Sequence, residues 1–284
     1  MNGKKIAIVT DSSAFIPDEL MSGLNIHVIP VWLIWDNESF RDGIDIQPEE
    51  FYHRLKKSKT LPTTSQPSTK EFEAFFLERS KSYDAIVAPL VSSKMSGTIE
   101  CAQAAVNEMT DFPIQIVDTC AGSMAHGFVV LAAARAASEG KSVEEVVNAA
   151  ETMREKVDLF FLVDTMKYLH RGGRISGAKR YMGTALQIKP ILQFAGGTIV
   201  PLSQARTRGK AIEHMLDLVE ERLGGQSMAE ASVVNIDCRE DGAALVEVVK
   251  DRFKTPEVHL AGASPVVGTL VGPGGLGLAF YPKS

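Results

Sequence analysis

Short apolar runs alternate with longer helical segments through the first half of the chain. The runs at residues 5–10, 85–90 and 114–117 have the length and composition of buried strands, and helical segments lie between them. Such alternation is typical of right-handed βαβ units, whose strands form a parallel sheet covered by helices. We therefore predict an α/β fold with a parallel α/β/α domain over residues 1–157.

The pattern changes near residue 158, where a second group of strands begins. Strands are predicted at 159–163, 233–237, 258–262 and 276–281, with a hairpin at 189–201. Because a hairpin is antiparallel and strand–helix–strand units are parallel, the sheet should be mixed. We predict a second α/β domain over residues 158–284.

Three other segments have less distinctive patterns. Residues 26–34 are mostly apolar and are predicted to form one strand. Residues 63–68 are predicted to be a loop between two helices. Residues 224–230 contain few apolar side chains and are predicted to be a linker.

Composition excludes several classes of protein. Hydrophobic residues make up 45% and charged residues 23%, which is ordinary for a globular chain and excludes disordered, collagen-like and repeat proteins. The apolar stretch 127–134 ends at Arg135 and is too short to span a bilayer. No secretory signal precedes Asp11, and the three cysteines are far apart in the sequence. We expect a cytoplasmic protein without a disulfide framework or a metal site.

Positive charge is concentrated in one segment, although the net charge is −5. Residues 165–212 contain no Asp or Glu but carry nine bases: Lys167, Arg171, Arg174, Lys179, Arg180, Lys189, Arg206, Arg208 and Lys210. The rest of the chain then holds 21 bases and all 35 acids, a balance of −14. We interpret the segment as a docking face for a phosphate, a nucleotide or an acidic partner, the alternative being a solvated rim. Nucleic acid is disfavoured because few aromatic residues accompany these bases.

Four hydroxyl-rich segments, at residues 11–13, 63–68, 92–98 and 118–123, lie near predicted strand ends or helix starts. Ligands of parallel α/β sheets bind at the carboxyl ends of the strands, where hydroxyls and helix N-termini favour an anion. Any one segment is explained by ordinary helix capping. Four together favour a pocket for a small anion or a carboxylate.

Signatures of catalysis are scarce. The six histidines are scattered, and no HExxH motif or nucleophile elbow occurs. The sequence Gly272–Gly277 matches GxGxxG, but only seven residues follow it, too few for a dinucleotide-binding unit. Binding is therefore favoured over chemistry. The alternatives are an α/β phosphotransferase or hydrolase that uses the hydroxyl loops for phosphate, and a regulatory protein whose basic segment docks an acidic partner.

The same segments resemble the DegV family of fatty-acid-binding proteins. Matching pieces occur in order along almost the whole chain: VTDSSAFIP, FRDGIDI, LPTTSQPS, VSSKMSGT, VDTCAGSMAHG, VDTMKYLHRGGRISG, IKPILQF, ARTRGKAI and GPGGLGLAF. The resemblance implies two α/β domains with a lipid pocket between them. It implies a carrier without a cofactor or catalysis of its own. The carrier would hold one long-chain fatty acid and present the carboxylate to a separate fatty-acid kinase, which makes acyl-phosphate for phospholipid synthesis.

The resemblance also implies which residues contact the ligand and the kinase. The carboxylate contacts correspond to Thr63 and Ser93. Further candidate contacts are their neighbours Thr64, Ser65, Ser92 and Ser96. A family histidine corresponds to Leu270 here, so either Thr269 compensates for the missing imidazole or this member binds a different head group. The arginines that would face the kinase are Arg174, Arg206 and Arg208. Candidate tunnel walls are Phe160, Phe161, Leu162, Met182, Leu186, Ile188 and Ile191, most of which are also explained by ordinary core packing.

Overall fold

The structure is a computed structural model that describes residues 4–175 and 188–283. Its strands, in chain order, are β1 (Ile6–Asp11), β2 (Ile26–Ile29), β3 (Trp32–Trp35), β4 (Glu38–Arg41), β5 (Thr63–Ser65), β6 (Ala85–Leu90), β7 (Ile114–Asp118), β8 (Asp158–Leu162), β9 (Lys189–Ala195), β10 (Thr198–Ala205), β11 (Met228–Asn235), β12 (Val258–Ala261) and β13 (Leu276–Pro282). Its helices are α1 (Asp18–Met21), α2 (Pro48–Lys57), α3 (Thr69–Ser80), α4 (Thr98–Glu108), α5 (Ser123–Ser138), α6 (Val143–Lys156), α7 (Lys167–Gly172), α8 (Arg208–Leu223), α9 (Arg239–Phe253) and α10 (Pro265–Val271).

The first sheet is parallel, with strand order β2-β1-β6-β7. Every residue of β1 and β6 is buried, because helices cover both faces. On one face, Ala7 and Val9 join a core with α3 and α4, whereas Ile6 and Ile8 join the core that contains α5 on the other face. The predicted parallel α/β/α arrangement is confirmed.

The prediction of one strand over residues 26–34 is wrong. The strand β2 ends at Ile29, and β3 leaves the parallel sheet to form an antiparallel sheet of order β4-β3-β5. Pro30 lies between the two strands and has no N–H group to donate to a ladder. Residues 63–65, predicted as part of a loop, form β5 because they pair with Trp32, Leu33 and Ile34.

The second sheet is mixed, as predicted, with strand order β10-β9-β8-β13-β11-β12. Its strands β11 and β12 are parallel, and its other pairs are antiparallel. The prediction that residues 224–230 form a linker is wrong for residues 228–230, which begin β11 and pair with the last strand of the chain. All strands of this sheet lie after residue 157, but the domain boundary itself stays a prediction.

Helix α5 lies between the two sheets. Eleven of its 16 residues are buried, and it contacts β1 and β6 on one side and β8, β11 and β13 on the other. Its apolar composition therefore reflects burial against two sheets rather than one. Within the described residues, no helix is both long enough and apolar enough to cross a membrane.

Candidate functional site

A cavity lies between the two sheets. Small-molecule pockets are typically lined by apolar side chains together with a few polar groups that fix the orientation of the ligand. The apolar part of its wall consists of Val31, Val91, Met95, Leu159, Phe161, Phe194, Ile199, Val234, Ile236, Val266, Val267, Leu270, Val271 and Leu276. The wall is therefore mainly aliphatic and aromatic, and most of it comes from the second sheet and α10.

Strand β8 illustrates how the sequence builds this wall. Successive side chains of a strand point to opposite faces of its sheet. Leu159 and Phe161 line the cavity, whereas Phe160 and Leu162 pack into the core beneath α8 and α9.

Of the residues predicted to form tunnel walls, some face the cavity and others face the opposite side of the sheet. Phe161 lines the cavity, whereas Phe160, Leu162 and Ile191 belong to the core beneath α8 and α9. Ile188 is not among the described residues that line the cavity. Met182 and Leu186 lie outside the described residues.

Polar side chains from several loops complete the cavity. Its polar lining residues are Ser13, Thr64, Gln66, Ser96, Ser123 and Arg174. Ser96 Oγ lies 2.8 Å from Thr98 Oγ1, and no described residue hydrogen-bonds the Thr64 hydroxyl. No carboxylate is among the described lining residues. The polar part of the wall can therefore donate hydrogen bonds to an anion without repelling it.

A smaller cavity adjoins this polar region. Both cavities are lined by Thr64, Arg174 and Leu270. Thr63 and Thr269 line only the smaller one, and the Thr269 hydroxyl donates to the carbonyl oxygen of Pro265 at 2.9 Å. Leu270 thus stands where the apolar cavity meets a more polar one.

Three of the predicted contact residues have hydroxyls that lie elsewhere. Ser93 is exposed, and its Oγ donates to Asp118 Oδ2 at 2.6 Å. Ser92 is buried and donates to the carbonyl oxygen of Gly197 at 2.7 Å. Among the described residues, the only hydrogen-bond partner of Ser65 Oγ is the backbone carbonyl oxygen of Gln66, at 3.4 Å. The structure brings Thr64, Ser96 and Leu270 together, but it does not bring Ser65, Ser92 and Ser93 to either cavity.

Sequence reasoning did not single out Asp42, a carboxylate that is only 2% exposed. Ser12 Oγ donates to its Oδ2 at 2.6 Å, and the backbone N–H of Val266 donates to its Oδ1 at 3.2 Å. Burial raises the pKa of Asp42 to about 6, although hydrogen bonds from Ser12 and Ser264 oppose the shift. Because Val266 lines the cavity, Asp42 links the loop after β1 to the cavity wall on α10. Asp42 lies in the FRDGIDI segment, but nothing in its pattern indicates burial.

The predicted docking arginines have different surroundings. Arg174 is exposed and borders both cavities, and its Nη1 donates to the carbonyl oxygen of Gly172 at 2.6 Å. Arg206 is exposed at the turn before α8. Arg208 pairs with Asp241 at 2.7 Å and donates to the carbonyl oxygen of Gly274 at 2.6 Å. Of the other bases in this segment, Lys179 and Arg180 lie outside the described residues.

The Gly-rich sequence before β13 forms a tight turn. Gly272 and Gly274 have φ values of 81° and 82°, which only glycine adopts readily. A Cβ at Gly272 would clash with the Tyr168 ring, so the turn also requires glycine for space. Among residues 4–175 and 188–283, no cluster of three or more His, Cys, Asp or Glu residues can hold a metal ion.

Comparisons with known proteins agree with this architecture. The family model described as "Uncharacterised protein, DegV family" matches residues 5–283. The protein DegV of Bacillus subtilis is 36% identical over 279 residues, covering 98% of this chain and 99% of that protein.

Two solved structures are also similar over their whole length. One, described by its fatty acid binding, is a DegV family protein from Thermus thermophilus, with a TM-score of 0.91, 32% identity, and coverage of 98% of this chain and 100% of that chain. The other is the crystal structure of DegV from Bacillus subtilis, described as a fatty acid binding protein, with a TM-score of 0.88, 36% identity, and coverage of 99% and 100%. With a family model that spans nearly all of its residues and relatives this similar from end to end, the chain belongs to the DegV family.

Proposed function

We propose that this protein binds a long-chain fatty acid in the apolar cavity between its two sheets. The observation that carries the proposal is the composition of the cavity wall, which is mainly apolar, with hydroxyls and one arginine and no described carboxylate. The two similar proteins described as binding fatty acids support the same ligand class.

The energetics favour an acyl chain. Burying about 14 methylenes at roughly 0.8 kcal/mol each contributes on the order of 11 kcal/mol before ordering costs. A hydrogen bond to the charged carboxylate adds about 1.5–3 kcal/mol. The tail therefore provides most of the affinity, and the polar side chains set the orientation.

The geometry supports Thr64 and Ser96 as the head-group contacts in preference to Thr63 and Ser93. Thr64 and Ser96 line the apolar cavity, whereas Ser93 donates to Asp118 and Thr63 lines only the smaller cavity. Arg174 borders both cavities and adds a positive charge beside them. A carboxylate at this end would lie where the polar cavity begins.

Retention of lipid tests this proposal. Protein extracted with organic solvent should release one long-chain fatty acid per chain, measured by mass spectrometry. The double variant Thr64→Val and Ser96→Ala should bind the acid at least about a hundredfold more weakly, because two hydrogen bonds to the carboxylate of about 1.5–3 kcal/mol each are lost. Ser93→Ala is the matched control, since its hydroxyl donates to Asp118 and should leave retention unchanged. A wild-type protein that takes up no fatty acid would overturn the proposal.

The proposal includes a partner. The carrier has no catalysis of its own, acts in the cytoplasm, and presents the carboxylate to a separate fatty-acid kinase that makes acyl-phosphate for phospholipid synthesis. The smaller cavity beside the head group and exposed Arg174, which borders it, support a docking face there, and exposed Arg206 is a further candidate contact with the kinase.

Charge reversal tests the docking face. Arg206→Glu should reduce acyl-phosphate formation by an added fatty-acid kinase at least tenfold while the carrier keeps its lipid, because Arg206 lines neither cavity. Lys70→Glu reverses an exposed charge on α3 and should leave the rate unchanged. If lipid is lost together with the rate, Arg206 supports lipid binding rather than docking of the kinase.

A further inference from the structure

A third cavity, which reaches the protein surface at exposed Glu155 and Gly196, lies behind another part of the wall of the apolar cavity between the sheets (the lipid cavity). It forms between the start of α5, the end of α6 and the turn that joins β9 to β10. Thr119, Cys120, Arg154, Gly196 and Gly197 are among its lining residues. Neither Thr64 nor Arg174 lines it, so it does not share the polar end of the lipid cavity.

Two side chains separate this third cavity from the lipid cavity. Leu159 and Phe194 line both, and no other described residue does. Leu159 is buried in β8, which β9 and β13 flank. Phe194 is only partly buried and lies one residue before the end of β9. The partition therefore consists of one fixed aliphatic side chain and one aromatic ring near the end of a hairpin.

The surroundings of Phe194 leave room for its ring. A Cβ at Gly122 would lie only 3.1 Å from Phe194 Cζ, so the ring occupies space that a larger residue at position 122 would fill. The backbone beyond the ring is tethered, because Ser92 Oγ and Lys94 Nζ donate to the carbonyl oxygens of Gly197 and Gly196, both at 2.7 Å. The hairpin therefore holds the Phe194 backbone in place beside the two cavities.

We propose that Phe194 is a specificity-determining residue that closes the tail end of the lipid cavity and limits the length of the acyl chain. The inference rests on the proposed fatty-acid binding. With the ring in place, the chain must end at Phe194 and Leu159. Without the ring, the two cavities join, and a longer chain extends past Leu159 towards the β9–β10 turn.

Opposite changes in chain preference test this inference. Delipidated protein is given an equimolar series of saturated fatty acids of increasing length, and the bound acids are identified by mass spectrometry. Phe194→Ala should raise the mean bound length by about two carbons or more, with roughly tenfold greater preference for the longer of two acids that differ by two methylenes. Gly122→Ala should lower the mean length, because its methyl group occupies space in the lipid cavity and presses on the ring. Gly122 has φ −148° and ψ 172°, a conformation that alanine adopts without strain.

Phe253→Ala is the matched control. It removes the same side chain from the end of α9, where Phe253 packs against the core beneath α8 and α9 and lines neither cavity. If the wild type binds fatty acid but Phe194→Ala and Gly122→Ala both bind acids of the same lengths as the wild type, Phe194 does not limit chain length. The proposed function would still stand in that case. If the wild type binds none of the acids, the proposed function fails instead. Phe194→Leu, a smaller change, provides the same readout if the alanine variant does not fold.

Discussion

Single residues beside the apolar cavity carry consequences for stability as well as for the proposed binding. Asp42 is the clearest case, because its carboxylate is buried and its pKa is about 6 rather than the ordinary 3.8. The folded protein therefore binds more protons than the unfolded chain between these values. Asp42 therefore contributes about 3 kcal/mol to the free energy of unfolding at low pH. This contribution is fully present below pH 3.8 and is lost as the pH rises through about 6.

Asp42→Asn should remove this pH dependence. The amide carries no charge at any pH, so the free energy of unfolding should no longer fall between about pH 4 and 6. Urea denaturation at a series of pH values measures the slope. Asp45→Asn is the control, because hydrogen bonds from exposed Arg41 lower the pKa of Asp45 to about 2, outside this range. An unchanged slope in Asp42→Asn would assign the dependence to another group.

Among residues, hydroxyls were the hardest to assign from the sequence. Ser93 and Ser96 lie three positions apart in one loop, yet Ser93 donates to Asp118 and Ser96 lines the cavity. Their orientation depends on the turn after β6 and on a neighbouring strand end, neither of which is encoded in the local pattern. The same holds for Thr63 and Thr64. Only the pairing of β5 with β3 decides that Thr64 lines the apolar cavity and that Thr63 does not.

At the scale of elements, α10 connects the cavity to α2. Gly268 faces α2 so closely that a Cβ there would lie 2.5 Å from Tyr52 Oη and 2.9 Å from Phe51 Cε1. Both aromatic side chains are buried and cannot easily move. Any side chain at position 268 would therefore push α10, together with its cavity-lining valines, away from its present position.

Gly268→Ala should lower the free energy of unfolding by about 1–3 kcal/mol, the usual cost of overpacking, and should also weaken lipid retention. Urea denaturation and mass spectrometry of extracted lipid measure the two effects. Gly209→Ala, near the start of α8, is the matched control because nothing lies within 4 Å of its added methyl group. The control should be neutral or stabilising by up to about 1 kcal/mol. Equal behaviour of the two variants would contradict the close packing of α10 on α2.

Elements differed in how well local pattern predicted them. The strand Ala85–Leu90 was predicted with its observed bounds, because a fully buried strand is apolar at every position. Strand β5 was missed because Thr63–Ser65 has no apolar residue and becomes a strand only by pairing. Helix α10 was also missed, although Ser264 caps it and Pro265 occupies its first turn, two signals that the sequence contains.

At the scale of the whole molecule, a buried ionic network joins the first part of the chain to the second sheet. Glu230 of β11 is 2% exposed and accepts hydrogen bonds from Arg135 of α5 at 2.9 and 3.1 Å. Tyr281 donates to it at 2.6 Å, and His259 Nε2 lies 2.9 Å away. Burial opposes ionisation of Glu230, but hydrogen bonds from His259, Arg135 and Tyr281 outweigh it and lower its pKa to about 2.

Glu230→Gln should destabilise the protein at neutral pH by about 1.5–3 kcal/mol, because the hydrogen bonds from Arg135, Tyr281 and His259 lose their charged acceptor, whereas the Arg135 side chain is 42% exposed and stays partly hydrated. The stability that Glu230 provides is present above its ordinary pKa of 4.5 and is lost as the pH falls towards 2. The variant should therefore lose less stability than the wild type between about pH 4.5 and 2, measured by urea denaturation. Glu247→Gln, an exposed partner of Lys250, should stay within about 0.5 kcal/mol of the wild type. If Glu230→Gln and the wild type lose the same free energy of unfolding between about pH 4.5 and 2, this network is not the cause of the loss.

Local patterns were sufficient to predict the α/β class, the parallel first sheet, the mixed second sheet and most element positions, because burial imposes a periodicity that a short window of residues reveals. They did not reveal the cavity, since it is the space left between two sheets that are distant in sequence. The burial of Glu230 within a predicted linker and the position of Phe194 between two cavities arise from contacts across that distance. A side chain's residue type and strand position are local properties, but which space it faces depends on how the two sheets pack around α5.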